Sequence, residues 1–133
     1  MRTAEMIASS PARTGGDPEL LARTIYALVA CAQTCTACAD ACLSEEMVAD
    51  LRTCIRSDLD CADVCDATAR VLSRQTAYDA DVTRALLEAC IQVCRTCGDE
   101  CASHAEHHEH CRICAEACRA CEEACSELLA ALG

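Results

Sequence analysis

The sequence predicts an all-α fold, an up-down-up-down antiparallel four-helix bundle with a cysteine-lined core. Three observations predict it. Cysteines recur at three- and four-residue spacing in four separate stretches, the spacing of one face of a helix. The two prolines, Pro11 and Pro18, both precede residue 19, so nothing later forces a helix to break. Turn-like segments divide the remainder into four runs of roughly 25 residues, each about 38 Å long as a helix. Short connections then make successive helices antiparallel neighbours.

Residues 1–16 read as a flexible or weakly helical lead-in ending in Gly15-Gly16, and residues 17–133 as the bundle, a duplicated helical hairpin. Asp17-Pro18-Glu19 is a helix start, with a capping Asp, Pro at the first helical position and an acid in the first turn. The first helix is expected over Pro18 to Cys42. Ser44, followed by Glu45 and Glu46, looks like the next cap, for a second helix over Glu45 to Arg74. Ser73 to Asp81 (SRQTAYDAD) reads as a turn. A third helix is expected over Asp79 to His104. The run from His104 to His110 (HAEHHEH) covers the next turn and the start of a fourth helix, which ends near Leu132-Gly133.

At 100° per residue, Cys31, Cys35, Cys38 and Cys42 fall within about 60° of arc. Cys90, Cys94, Cys97 and Cys101 repeat that spacing, and Cys111, Cys114, Cys118, Cys121 and Cys125 cover about 80°. The second helix is thinner, with Cys54, Cys61 and Cys65, its stripe completed by Leu51 and Asp58. A shift of 59 maps Cys31–Cys42 onto Cys90–Cys101, and a shift of 60 maps Cys54, Cys61 and Cys65 onto Cys114, Cys121 and Cys125. All 16 cysteines lie on these seams.

Large apolar residues are scarce. Leu, Ile, Val and Phe make up about one residue in six, which with a net charge of −11 would normally signal disorder. Counting Cys and Ala as core residues removes that signal, because free Cys packs as a small hydrophobe. Such a core calls for a further source of stability, a bound metal or oligomerisation. The acidic balance argues against nucleic acid, since no basic stripe meets phosphates, and against an anionic membrane surface. No run of 18 apolar residues appears, so no membrane-spanning helix is expected. The N-terminus has no apolar h-region and no twin-arginine pair, which points to the cytosol. Thiols are kept reduced there, and dense cysteines read as metal-binding or redox-active rather than as a disulfide framework.

Four thiol seams make a tube of soft donors, and soft thiolates select Cu(I), Zn(II) or iron–sulfur clusters. One Cu(I) replacing one thiol proton leaves the buried charge near zero. Zn(II) in four-thiolate sites would leave each site doubly negative in a dry core, which is unfavourable, and needs separate tetrahedral groups that a continuous seam does not offer. Iron–sulfur clusters usually sit on loops that wrap them, whereas this spacing is helical throughout. The alternatives are a thiol-based redox sensor and a zinc- or iron–sulfur-binding regulator. A sensor would need one low-pKa, accessible pair with a resolving partner, and no single pair stands out. Nothing in the chain points to an enzyme.

The two ends of the tube differ. The turn between the first and second helices and that between the third and fourth share one end, which carries Met47, His104, His107, His108 and His110. His104 and His107 extend their seams, so a port for incoming Cu(I) is one reading and a solvated turn with capping histidines the other. Leu28, Leu72, Leu87 and Leu128 plug the opposite end. Asp58, a carboxylate within a thiol seam, is a weak ligand, a hydrogen-bond partner for thiols or the mark of a water-filled pocket; the plainer reading is a partly solvated acid or an irregularity in the second helix's seam. The other acids, such as Glu45, Glu46, Glu122 and Glu123, read as a solvated face, and Tyr26 and Tyr78 as packing or interface residues.

The duplicated CxxxCxxCxxxC blocks, the terminal CRICAEACRACEEAC run and the His-rich turn resemble the bacterial copper storage proteins, over roughly residues 18 to 132. The resemblance implies many Cu(I) ions bound inside the bundle, with the sixteen seam cysteines as ligands, and assembly as a homotetramer. Without a twin-arginine signal the chain resembles the cytosolic branch. The family's polar mouth corresponds to His104, His107, His108 and Met47, and Asp58 interrupts an otherwise continuous set of thiols.

Overall fold

The computed structural model describes residues 1–132, and among them there are helices and turns but no strand. A short helix α1 (Thr3–Ser9) is followed by α2 (Pro18–Leu43), a 3₁₀ turn (Val48–Leu51), α3 (Arg52–Leu72), α4 (Ala80–Ala102) and α5 (Glu109–Ala131). The four long helices close a ring: α2 packs against α3 and α5, and α4 packs against the same two. The lead-in is therefore partly ordered as α1, which lies on α2.

Local chemistry explains most boundaries. Asp17 caps α2 by accepting a hydrogen bond from the Glu19 amide at 3.0 Å, with Pro18 opening the helix. Asp79 caps α4 through the amides of Asp81 and Val82, at 3.0 and 3.2 Å. The second helix departs from expectation. It starts at Arg52, not Glu45, because Ser44 ends α2 instead of opening α3: its amide donates back to the carbonyls of Ala41 and Cys42. Residues 48–51 then tighten into a 3₁₀ turn, a frequent lead-in to an α-helix, which buries Leu51. The third helix stops at Ala102, two residues short of His104, with Ser103 as its cap. The last helix starts at Glu109 and ends at Ala131 with Leu132 as cap, and the expected terminal Gly133 lies outside the described residues.

Every long helix turns its cysteines inward. All sixteen are buried, and fifteen of them are fully inaccessible, Cys38 being 2% exposed. Large apolar side chains gather at the end away from the histidines, where Leu21, Ile25, Leu28, Leu72, Leu87 and Leu128 are buried together. Gly15 reaches this end from the lead-in. Its amide donates to Gln75 Oε1 at 3.0 Å, and a Cβ there would lie 2.6 Å from the Tyr78 ring, so a side chain at this position would force the ring to shift. Gly98 lies where α4 and α5 pack closely: a Cβ there would stand 3.3 Å from Cys118 Cβ, and 2.9 Å from Arg119 Nη1 at the movable end of its side chain.

One helix stands out despite the absence of an 18-residue apolar run. The helix α2 is long and apolar enough to cross a membrane by length and composition, with an 18-residue window of mean hydropathy 1.3. Arg23, Thr24, Gln33, Thr34, Thr36 and Asp40 break its apolar residues into short runs. Its apolarity has a local explanation: ten of its residues, four of them cysteines, are buried against the other helices.

Candidate metal centre

Eleven of the sixteen sulfurs are linked by close pairs into one connected array. Twelve neighbouring pairs lie 3.6–4.0 Å apart, both within a helix (Cys31–Cys35, Cys61–Cys65) and between helices (Cys54–Cys101, Cys35–Cys118). These separations are about twice a disulfide bond, and all sixteen thiols are free. Several sets of four donors have all their ligand atoms within 4.8 Å of one another: Cys31/Cys65/Cys94/Cys121, Cys31/Cys35/Cys61/Cys118, Cys35/Cys97/Cys114/Cys118, Cys38/Cys42/Cys54/Cys111 and Cys38/Cys54/Asp58/Cys101. The sets interleave. Cys31, Cys35, Cys38, Cys54 and Cys118 each belong to two of them, so neighbouring sets share donors and one sulfur is placed to serve two metals.

Asp58 is fully buried in α3 and faces thiols from the other helices. Its Oδ1 accepts from Cys97 at 3.0 Å, Cys114 at 3.2 Å and Cys101 at 3.4 Å, while Cys54 stands 3.9 Å from Oδ2. Burial, followed by the charge of Cys114, pushes its carboxyl up to about 8. Among the sequence alternatives for Asp58, the partly solvated acid is therefore wrong: the side chain is fully buried. Towards the plugged end, Cys90 donates to Thr68 Oγ1 at 3.0 Å, and the Thr68 hydroxyl donates in turn to the Val64 carbonyl at 2.7 Å.

The histidine end is built differently from the sequence-based expectation. Met47 is 64% exposed in the turn before the 3₁₀ segment, and His107 is exposed as well. His104, in the turn after α4, lies 3.5 Å from Glu100 in the last turn of that helix. His108 is the N-cap residue of α5, but its side chain makes no capping bond. Its Nδ1 meets Glu45 Oε2 at 2.5 Å instead. None of these four has a sulfur within hydrogen-bond reach. The residue that does is His110, whose Nδ1 lies 3.4 Å from Cys38 Sγ, 3.6 Å from Cys111 Sγ and 4.0 Å from Cys42 Sγ. Its Nε2 lies 3.1 Å from Glu45 Oε2. The sequence places His110 at this end but not among the ligands, because it sits 100° off the seam beside Cys111. In the first turn of a helix the side chain leans back over the N-terminus, and from there it covers the mouth of the tube. Glu45, half-buried, is paired rather than free on its face: His110 and then His108 hold its carboxyl below the usual range. Burial pushes the Cys42 thiol beneath them up to about 12, and the Cys111 thiol up as well.

A dry, shared array of thiols closed by an imidazole is chemistry for a soft monovalent metal. The family model for copper storage proteins matches residues 17–130. This chain belongs to the copper storage protein family. Within it, the copper storage protein Ccsp from Streptomyces lividans, in a structure loaded with 10 copper equivalents, is 64% identical with a TM-score of 0.95, over 97% of this chain and 98% of that one. A structure of copper loading to a cytosolic copper storage protein from the same organism, with five coppers, is 70% identical with a TM-score of 0.86, over 86% of this chain and 96% of that one. The cysteine-rich protein YhjQ of Bacillus subtilis (strain 168) is 36% identical over 106 residues, 80% of this chain and 93% of that protein.

Proposed function

We propose that this chain is a cytosolic store for Cu(I), holding many ions per molecule on the thiolates that line its core. The observation that carries this reading is the interleaving of the donor sets. A sulfur that belongs to two sets can bridge two metals, so ions join a chain of clusters instead of occupying isolated sites. Each Cu(I) displaces about one thiol proton, which keeps the buried charge near zero as the store fills, whereas isolated tetrathiolate zinc would accumulate buried negative charge. Kinship to copper-loaded and cytosolic relatives supports both the cargo and the compartment.

The sixteen cysteines are the ligands of this store, and Asp58 assists at its level of the tube. Copper arrives at the histidine end, with His104, His107, His108 and Met47 as outer contacts, and moves inward between sulfurs 3.6–4.0 Å apart. The ring of α2, α3, α4 and α5, with short turns joining successive members, supports an up-down-up-down antiparallel bundle over residues 17–133, with residues 1–16 as a lead-in. The role is sequestration rather than catalysis, and the working unit is a homotetramer. Size-exclusion chromatography with light scattering tests the assembly.

Anaerobic Cu(I) titration of the fully reduced protein against a chromophoric chelator tests the function. The expected result is that copper is withheld from the chelator until about one equivalent per cysteine, as one proton per metal requires. Withholding that stops after one or two equivalents refutes storage.

A further inference from the structure

His110 is the imidazole that touches the array, and one carboxylate governs it. Glu45 lies in the turn that ends α2, its amide bonded to the Cys42 carbonyl at 3.2 Å. From there its Oε2 reaches across to the start of α5, 3.1 Å from His110 Nε2 and 2.5 Å from His108 Nδ1, and the two rings stack with centroids 5.5 Å apart. An ionised carboxylate only accepts hydrogen bonds. The proton of neutral His110 therefore sits on Nε2, and the lone pair sits on Nδ1, the atom that faces Cys38, Cys42 and Cys111 at 3.4–4.0 Å. The opposite tautomer would aim an N–H at those sulfurs and offer copper nothing. Carboxylate–imidazole–metal relays of this kind fix the ring and raise its basicity.

We propose that Glu45 is a positioning residue for copper uptake, holding the His110 ring so that Nδ1 presents its lone pair to the outermost thiols. This rests on the storage reading for its purpose, but the geometry it describes is a property of the metal-free chain. Glu45 acts through His110 and touches no sulfur within hydrogen-bond distance. Its neighbour Glu46 is exposed and carries the same charge without that contact, which makes it the control for simple attraction of cations.

The test uses the full chain, reduced and anaerobic, in the variants Glu45→Ala, Glu45→Gln, Glu46→Gln, His110→Ala and the Glu45→Ala/His110→Ala double variant. Stopped-flow uptake of the first Cu(I) equivalent from a chelator complex is read beside the final copper content and the far-UV circular dichroism. Glu45→Ala slows uptake about tenfold or more with helix content and final capacity unchanged. Glu45→Gln, whose amide oxygen still accepts from Nε2–H, recovers most of the rate, and Glu46→Gln loads as the parent does. The double variant is no slower than His110→Ala alone. In proton NMR of the metal-free protein, the His110 Nε2–H is a slowly exchanging signal in the parent and in Glu45→Gln, and is lost in Glu45→Ala. Parent-like uptake by Glu45→Ala, additive losses in the double variant, or no protected imidazole proton in the parent each overturn the proposal. If the parent withholds no copper, the storage reading fails instead, and the NMR signal still decides whether Glu45 holds the ring.

Discussion

Replacing Asp58 with Asn should stabilise the metal-free protein near neutral pH and flatten its pH dependence. The carboxyl ordinarily titrates near 3.8 and is pushed up to about 8 in the fold, chiefly by burial. Between those values the folded chain retains a proton that the unfolded chain has released. The unfolded state then binds fewer protons, and stability falls as pH rises. The stabilisation is complete below 3.8 and is lost progressively towards 8. Each pH unit within the window removes about 1.4 kcal/mol, so moving from pH 5 to pH 7 removes about 3 kcal/mol through this one group. Asn is isosteric and does not ionise, so Asp58→Asn should lack that component. The groups facing the position, Cys38 on α2, Cys54 on α3, Cys97 and Cys101 on α4 and Cys114 on α5, are the same in both proteins. Comparing slopes therefore isolates the carboxyl. The assay is anaerobic urea unfolding of both proteins, reduced and metal-free, at several pH values from 5 to 7. Equal slopes would refute the reasoning, and would mean that water or a neighbouring charge compensates the carboxylate.

Other expectations follow from particular contacts. Cys118 belongs to two donor sets, so Cys118→Ser should lower copper capacity by more than one equivalent in the chelator titration; a loss of one or less would count against bridging. Leu87 is fully buried in the apolar end, and Leu87→Ala should reduce stability in urea by about 2–5 kcal/mol while leaving capacity unchanged. Amide hydrogen exchange of the metal-free protein should be slowest around Leu28, Leu72 and Leu128 and faster in the turns at 44–47 and 103–108. Copper loading should slow the latter most, and an even response along the helices would contradict the asymmetry of the core.

The seams are legible in the sequence because burial and ligation demand the same spacing. A cysteine at every third or fourth position places both the helix and the face it buries, which is why Cys31 to Cys42 and Cys90 to Cys101 can be assigned inward without coordinates. What escapes lies where periodicity stops. Ser44 before Glu45 and Glu46 has the composition of a helix start, yet its amide is used to close α2, and tertiary packing of Leu51 draws the following residues into a 3₁₀ turn. His107 precedes Cys111 by four and His104 follows Cys101 by three, so both look aligned with the sulfurs. Projected from a regular helix they would be, but residues 103–108 are turn and the projection fails there. His110 needs only one further idea, that a side chain in a helix's first turn points back beyond its own start. Its pairing with Glu45 spans 65 residues, and no local pattern announces it.

The uneven distribution of apolar side chains bears on why thiols can replace leucines in such a core. A thiol buries much less surface than a leucine and contributes correspondingly less to stability, so a tube of sixteen gives a core that is sealed but weakly held. Stability must come from elsewhere, and the ends supply it unequally. Six large aliphatic side chains pack at one end, with Gly15 and Tyr78 closing over them. At the other end Leu51 alone among the large aliphatics is fully buried, and polar contacts among Glu45, His108 and His110 take the place of apolar packing. Local opening is favoured where buried apolar contacts are few. The same arrangement therefore leaves the mouth as the place where the chain should open most readily, next to the one imidazole already in contact with sulfur. Copper bound there would cross-link α2, α3 and α5 through Cys38, Cys42, Cys54 and Cys111, adding stability to the end that has least of its own.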